Sequence, residues 1–201
     1  MEIKQTDNTV WHDSLISREL RSKATGGLGA TVWLTGLSGS GKSSIAVEFE
    51  KLCIENSRPA YLLDGDNLRQ GLNGDLGFSE QDRVENIRRV SHVASLFADA
   101  GIIAIAPLVS PYRESRNFAR TVHKNAEINY LEVYVNTPLE ICEERDSKGL
   151  YEKARKGEIT GMTGIDAPYE APENPEVTFT PEDGNPKQLA EKLWEILNQR
   201  I

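Results

Sequence analysis

The chain has 201 residues, 38% of them apolar and 27% charged, which describes an ordinary soluble domain with enough residues for a core. No apolar run approaches membrane-spanning length, and Met1 to Asp13 lacks the apolar centre of a secretion signal. A net charge of −8 sets the whole-molecule field against nucleic acid, so an anionic ligand must be held by local arginine and lysine clusters.

These features predict one domain over residues 1–201, with neither a membrane nor a nucleic acid as partner. Cys53 and Cys142 lie far apart on apolar helix faces, which reads as two buried thiols in a reducing cytoplasm rather than a metal or disulfide pair.

Residues 1–30 form a lead-in, with a short apolar segment at Val10-Trp11-His12 and a polar helical piece through Arg21. Thr31 to Thr35 is apolar and β-branched, as a buried strand should be. It runs into Gly36-Leu37-Ser38-Gly39-Ser40-Gly41-Lys42-Ser43, a G-x-x-x-x-G-K-[ST] phosphate-binding loop, or P-loop. Ile45, Phe49, Leu52 and Cys53 then mark one face of a helix reaching about Asn56. Pro59 to Leu63 is a second strand, ending in Asp64-Gly65-Asp66, and Asn67 to Gly77 is a short helix and loop. Ser79 and Asp82 open a long helix with Ile87, Val90, Ala94 and Phe97 inward and Gly101 at its end. Ile102 to Val109 reads as a strand covered on both faces. Ser110 is expected to cap the next helix with Pro111 in its first turn, and Tyr130 to Val135 is strand four. Thr137 is expected to cap a helix to about Arg145, with Pro138 and a reciprocal Glu140. Asp146 to Pro175 breaks the pattern, with a brief helical piece at Tyr151–Lys156; it reads as a lid, with the covering segment at 146–175. Val177 to Phe179 is a fifth strand, and Asn185 caps a last helix with Leu189, Leu193, Ile196 and Leu197 inward.

Strands alternating with helices predict a three-layer α/β P-loop fold: a five-stranded parallel sheet, order 2-3-1-4-5, flanked by helices, with ligands at the carboxyl ends of its strands. The glycine loop supplies inward N–H groups for a polyphosphate such as ATP. Lys42 can reach the β- and γ-phosphates, and Ser43 can ligate Mg²⁺. Asp64 and Asp66 end a strand beside this loop: one could hold Mg²⁺ through water and the other orient an acceptor hydroxyl, or both could simply cap a turn. Arg69, Arg83, Arg88, Arg89 and Arg113 flank the same edge and suit phosphate or sulfate oxygens, although Arg88 and Arg89 equally suit surface ion pairs. Phe78 can stack on a base or pack a loop end. Lys148, Lys153, Arg155 and Lys156 suit a closing lid or an exposed charged face.

The strings Asp64-Gly65-Asp66-Asn67-Leu68-Arg69-Gln70-Gly71-Leu72-Asn73, Gly77-Phe78-Ser79, Asp82 to Val90, Val109 to Arg113, Arg145 to Tyr151 and Thr163 to Glu170, added to the glycine loop, closely resemble the adenylylsulfate kinase (APS kinase) family. The resemblance runs from about Val10 to Phe179 and implies phosphorylation of the 3′-hydroxyl of adenosine 5′-phosphosulfate (APS) by ATP, giving 3′-phosphoadenosine 5′-phosphosulfate (PAPS) and ADP. It implies Asp66 at the ribose hydroxyl, Arg69, Arg83 and Asn86 at the phosphosulfate, and Phe78 on adenine. Val109, Ser110 and Lys148 would line the same pocket, Gly161 and Met162 would close it, and the assembly would be a homodimer. Ser110 is often described in this family as a phosphoserine, but direct in-line transfer is expected here, because no base adjoins it. Met162 replaces a usual aromatic and Ser147 a common proline. A kinase for another small hydroxyl acceptor and a non-catalytic nucleotide-binding regulatory module are the alternatives.

Overall fold

In the computed structural model, which describes residues 9, 10, 12 and 14–201, β1 (Ala30–Thr35) is buried along its whole length. Its side chains alternate by strand periodicity. Val32 and Leu34 join Ile45, Phe49 and Leu193 on one face, while Trp33 joins Val90, Ala94 and Ala119 on the other. A strand so covered needs helices on both sides, and the chain supplies them. α2 (Lys42–Glu55) and α8 (Pro186–Asn198) pack on the first face; α4 (Glu80–Asp99) and α5 (Arg113–Asn125) pack on the second.

Around β1 the sheet is completed by β2 (Ala60–Leu62), β3 (Ile103–Pro107), β4 (Asn129–Val135) and β5 (Val177–Phe179). All pairs are parallel and the order is β2-β3-β1-β4-β5, as expected. β1 therefore lies between β3 and β4, the place where α/β sheets open a crevice at their carboxyl ends. The shorter helices α1 (Arg18–Thr25), α3 (Gly65–Leu68), α6 (Leu139–Arg145) and α7 (Leu150–Arg155) complete the elements used below. Arg18 and Arg21 of α1 clasp Asp99 at the end of α4 (2.9 and 2.5 Å). Of the apolar lead-in segment, Trp11 lies outside the described residues.

Two expected helix starts are corrected. Ser110 does not cap α5: the helix begins at Arg113 after Tyr112, which makes no side-chain cap. Pro111 disfavours helical backbone at residue 110, and Ser110 adopts φ +40° instead. The first N–H of α5, on Arg113, donates to a remote carboxylate, Glu170 Oε2, at 2.7 Å, where negative charge also suits the helix dipole. Likewise Thr137 does not cap α6; Pro138 holds that position without a side-chain bond, and the Thr137 hydroxyl donates to Ser40 O (2.8 Å). Tertiary partners outbid local capping in both places. The Ser79 and Asn185 caps form as the sequence predicts.

Between α5 and β4 lies a buried ion network. Arg116, 2% exposed, donates from Nε to Glu132 Oε1 (2.9 Å), from Nη1 to Ser110 O (2.6 Å) and from Nη2 to Glu170 O (2.5 Å). Arg120 joins Glu132 (3.0 Å) to Glu176 (2.5 Å). One guanidinium thus binds the crevice loop, the 146–175 segment near its end and the sheet together. Arg116→Met should lower unfolding free energy by about 3–5 kcal/mol in urea denaturation, because it leaves Glu132 partly unpaired in the interior. A loss below about 1 kcal/mol would show that the network does not hold these segments.

Candidate active site

The loop after β1 is shaped by two glycines. A Cβ at Gly36 would lie 2.5 Å from Val135 O, and one at Gly39 would lie 2.9 Å from Cys142 O; both residues also have positive φ. The loop's carbonyls are tied from outside, Ser38 O by the Tyr151 hydroxyl (2.8 Å) and Gly39 O by Arg145 (3.3 Å), besides Ser40 O by Thr137. α2 starts at Lys42 with no side-chain cap, so its first N–H groups have no side-chain acceptor. Lys42 is buried and folds over its own loop, donating to Gly36 O (3.0 Å), Leu37 O (2.6 Å) and Ser40 Oγ (3.3 Å). Burial pushes its pKa down to about 8, and Lys148 nearby adds to the effect. Ser43 is exposed beside it.

A crevice of about 540 Å³ opens at the strand ends, and its wall brings together Lys42, Ser43, Asp64, Asp66, Arg69 and Arg83 with Phe78, Asn86, Val109, Ser110 and Lys148. Asp64 is the cap of α3: its Oδ1 accepts from the N–H groups of Asp66 (3.0 Å) and Asn67 (3.1 Å). Capping and crevice lining therefore coincide in one residue. Asp66 pairs with Lys148 across the crevice mouth. Arg69 donates to Leu76 O (3.1 Å) and Gly77 O (2.8 Å), with its guanidinium 4.4 Å from the Phe78 ring centre. Its pKa is lowered by burial first and by Arg83 second. Arg83 donates to Phe78 O (2.9 Å), Thr163 Oγ1 (3.0 Å) and Gly161 O (2.7 Å). The Phe78 ring is 65% exposed, a large aromatic face held beside two guanidiniums.

Several placements left open by the sequence are decided, and others are corrected. Arg88 and Arg89 bind Glu85 (2.7 and 2.8 Å), and Arg89 also binds Asp75, so they are surface ion pairs outside the crevice. Arg88 first, then Arg89, holds the Glu85 carboxyl down to about 2. Arg113 turns to Ala171 O (2.8 Å) and Glu173 (3.3 Å). Arg155 and Lys156 pair with Glu143 and Glu152, and Lys153 is exposed, so these three form a charged outer face. Leu37 and Met162 pack with Cys142 and Tyr151 in a small apolar cluster, and neither lines the crevice. Gly161 touches the site through its carbonyl on Arg83. Gly36 and Ser40 shape the loop without lining the crevice. Cys53 and Cys142 are buried and free.

Arg145 lines the crevice and was not singled out by sequence reasoning; its position in the string Arg145-Asp146-Ser147-Lys148 was the available signal. Arg116 carried no signal, since nothing in the spacing distinguishes a buried arginine from an exposed one.

A parallel sheet whose first strand runs into such a loop, with lysine and carboxylates on one crevice, is the fold and site of a P-loop kinase. Within that class the chain belongs to the adenylylsulphate kinase family, whose model matches residues 28–180. It is 51% identical over 199 residues to the adenylyl-sulfate kinase of Clostridium acetobutylicum, covering 99% of this chain and 98% of that one. It is 50% identical over 195 residues to the adenylyl-sulfate kinase of Lactiplantibacillus plantarum, covering 96% and 91%. Among solved structures it resembles the Mycobacterium tuberculosis APS kinase CysC in complex with AMPPNP and APS. The TM-score is 0.83 at 54% identity, over 85% of this chain and 98% of that one.

The depressed Lys42 pKa has a thermodynamic consequence. Between about 8 and the ordinary 10.5 the folded protein binds fewer protons at this site than the unfolded chain. Stability of the ligand-free protein from this group therefore rises with pH across that window and is flat on either side. Lys42→Met should remove this rise, checked by urea denaturation of both proteins from pH 7 to 10.5. Identical pH profiles would show that the ammonium is not desolvated.

Proposed function

We propose that the chain transfers the γ-phosphoryl group of ATP to the 3′-hydroxyl of APS, giving PAPS and ADP. The observation that carries the reading is that one crevice is lined both by the glycine loop with Lys42 and by Asp66, Arg69, Phe78 and Arg83. Membership of the adenylylsulphate kinase family supports the same acceptor. In this reading Ser38, Gly39, Gly41, Lys42 and Ser43 hold the ATP polyphosphate, on a loop whose shape Gly36, Leu37 and Ser40 set. Arg69, Arg83 and Asn86 hold the phosphosulfate, Phe78 stacks on its adenine, Val109, Ser110 and Lys148 complete the acceptor site, and Gly161 supports it through its carbonyl on Arg83.

Mg²⁺ fits the donor set. The described residues hold no cluster of three or more metal-ligating side chains, so the ion would be held mainly by phosphate oxygens and water, as Mg²⁺ usually is. Ser43 supplies the hydroxyl, and Asp64 keeps Oδ2 free of its capping bonds for a water. When bound, the ion would supply charge neutralisation at the transferring phosphate.

Direct in-line transfer is the simplest chemistry here. The 3′-oxygen bonds to the γ-phosphorus, the bond to the bridging oxygen of ADP breaks, and Asp66 orients and accepts the hydroxyl proton. Ser110 Oγ is occupied within the protein, accepting from Trp33 Nε1 (3.2 Å) and donating to Leu108 O (3.3 Å), and the residue is 2% exposed. A phosphoserine would lose the bond to Leu108 O, because its ester oxygen carries no proton. Asp66 must exchange Lys148 for the acceptor, and an exposed ion pair of this kind costs little to open. The buried free thiols suit the reducing cytoplasm, and a homodimer is the assembly we infer; sedimentation should give twice the mass of one chain, not once or six times.

Incubation with Mg-ATP and APS should yield PAPS and ADP in equal amounts; ATP binding without turnover would reject the proposal. Lys42→Ala should lose about 2–4 kcal/mol of transition-state stabilisation. Asp66→Asn should lower kcat while leaving APS affinity largely intact, whereas a change confined to KM would remove Asp66 from the chemical step.

A further inference from the structure

Asn73 sits in the turn between α3 and α4 and is 0% exposed. Its main chain already closes that turn, donating to Leu68 O (2.9 Å) and accepting from the Leu76 N–H (3.1 Å). The side chain does something else. Its Nδ2 donates to Asn86 Oδ1 at 3.0 Å, and its own buried Oδ1 has no partner among the described residues. An orphaned buried acceptor costs on the order of 1–3 kcal/mol, a cost that an apolar side chain would not incur. The fold therefore retains a locally unfavourable group whose one bond is to a residue of the crevice.

Asn86 lies one helical turn after Arg83 on α4 and lines the crevice. An amide has two faces, an accepting oxygen and a donating NH₂. With Oδ1 held by Asn73, Asn86 has its NH₂ left to offer, and that NH₂ makes no hydrogen bond among the described residues. Rotated the other way, Asn86 would aim an oxygen at an anionic ligand and lose a charge-assisted bond. We propose that Asn73 is a positioning residue for the acceptor: it locks the Asn86 amide with its donors toward the crevice, so that the site favours an anionic acceptor. The proposal rests on the APS reading of the crevice and adds a residue that selects for it.

A double-mutant cycle on the full chain tests it, with APS titrated calorimetrically in the presence of ADP. Asn73→Leu should weaken APS by roughly tenfold or more, the worth of a hydrogen bond to a charged group, with ADP affinity unchanged. In an Asn86→Leu background Asn73→Leu should add nothing, because its effect passes through Asn86. Additive losses, or full APS affinity in Asn73→Leu, would overturn the proposal. Asn73→Ala repeats the cycle if leucine overpacks the turn. Asn86→Asp supplies an arm that leaves residue 73 intact: the carboxylate keeps the acceptor for Asn73 and presents its second oxygen to the crevice. It should bind APS more weakly than Asn86→Leu, and equal or tighter binding would overturn the proposal. Wild-type protein that binds ADP but not APS would instead reject the acceptor reading itself, and the proposal with it.

Discussion

All five carbonyls from Gly36 to Ser40 accept hydrogen bonds, from Lys42, Tyr151, Arg145 and Thr137. This is the constraint on which the site depends. A glycine-rich loop is entropically costly to order, and one with open carbonyls would collapse onto its own N–H groups. Partners drawn from α2, the β4–α6 connection, α6 and α7 prevent that. Apart from the Ser40 N–H, which donates to Leu37 O (3.2 Å), this leaves the loop's amide hydrogens unpaired within it, as an anion-binding loop requires. Lys42 is itself one of the ties, so its ammonium is held against the loop's own dipoles and desolvated there.

Charge in the crevice follows a second rule. Arg69 and Arg145 spend their hydrogen bonds on backbone carbonyls, and Arg83 spends its on carbonyls and the Thr163 hydroxyl. Arg88, Arg89, Arg116, Arg120 and Arg155 spend theirs wholly or partly on carboxylates. Carbonyls orient a guanidinium without cancelling its charge. The crevice thus keeps net positive potential inside a chain of net charge −8, while the surplus acid is neutralised or solvated elsewhere. Burial first and Arg83 second lower the Arg69 pKa, the cost of holding that guanidinium partly buried beside a second one at the same aromatic ring.

The segment 146–175 divides into a fixed root and a light rim. At the root, Tyr151 and Met162 are buried with Cys142, and the Asp166 carboxylate accepts from the N–H groups of Gly161 (2.7 Å) and Met162 (2.6 Å). At the rim, Lys148 meets Asp66 and Arg83 meets Gly161 and Thr163 through partly exposed contacts. Buried packing is hard to undo and exposed polar contacts are not, so local opening costs least at the rim.

The element order, the parallel sheet and the glycine loop were legible in the sequence because each rests on a local signal: apolar runs for β1 and β3, the G-x-x-x-x-G-K-S spacing, and the caps at Ser79 and Asn185. Resemblance in longer strings extended this to most of the crevice residues. Local reasoning failed at Ser110 and Thr137, whose spacing suits a cap but whose hydroxyls are taken by Trp33, Leu108 and Ser40. It also could not sort Arg69 and Arg83 from Arg88, Arg89 and Arg113, or see Arg116 and Asn73 at all. Those distinctions depend on which partner lies across the fold. Local sequence determines what a residue can donate or accept, whereas burial and distant neighbours, 54 residues away for Arg116 and Glu170, determine which of those bonds is made.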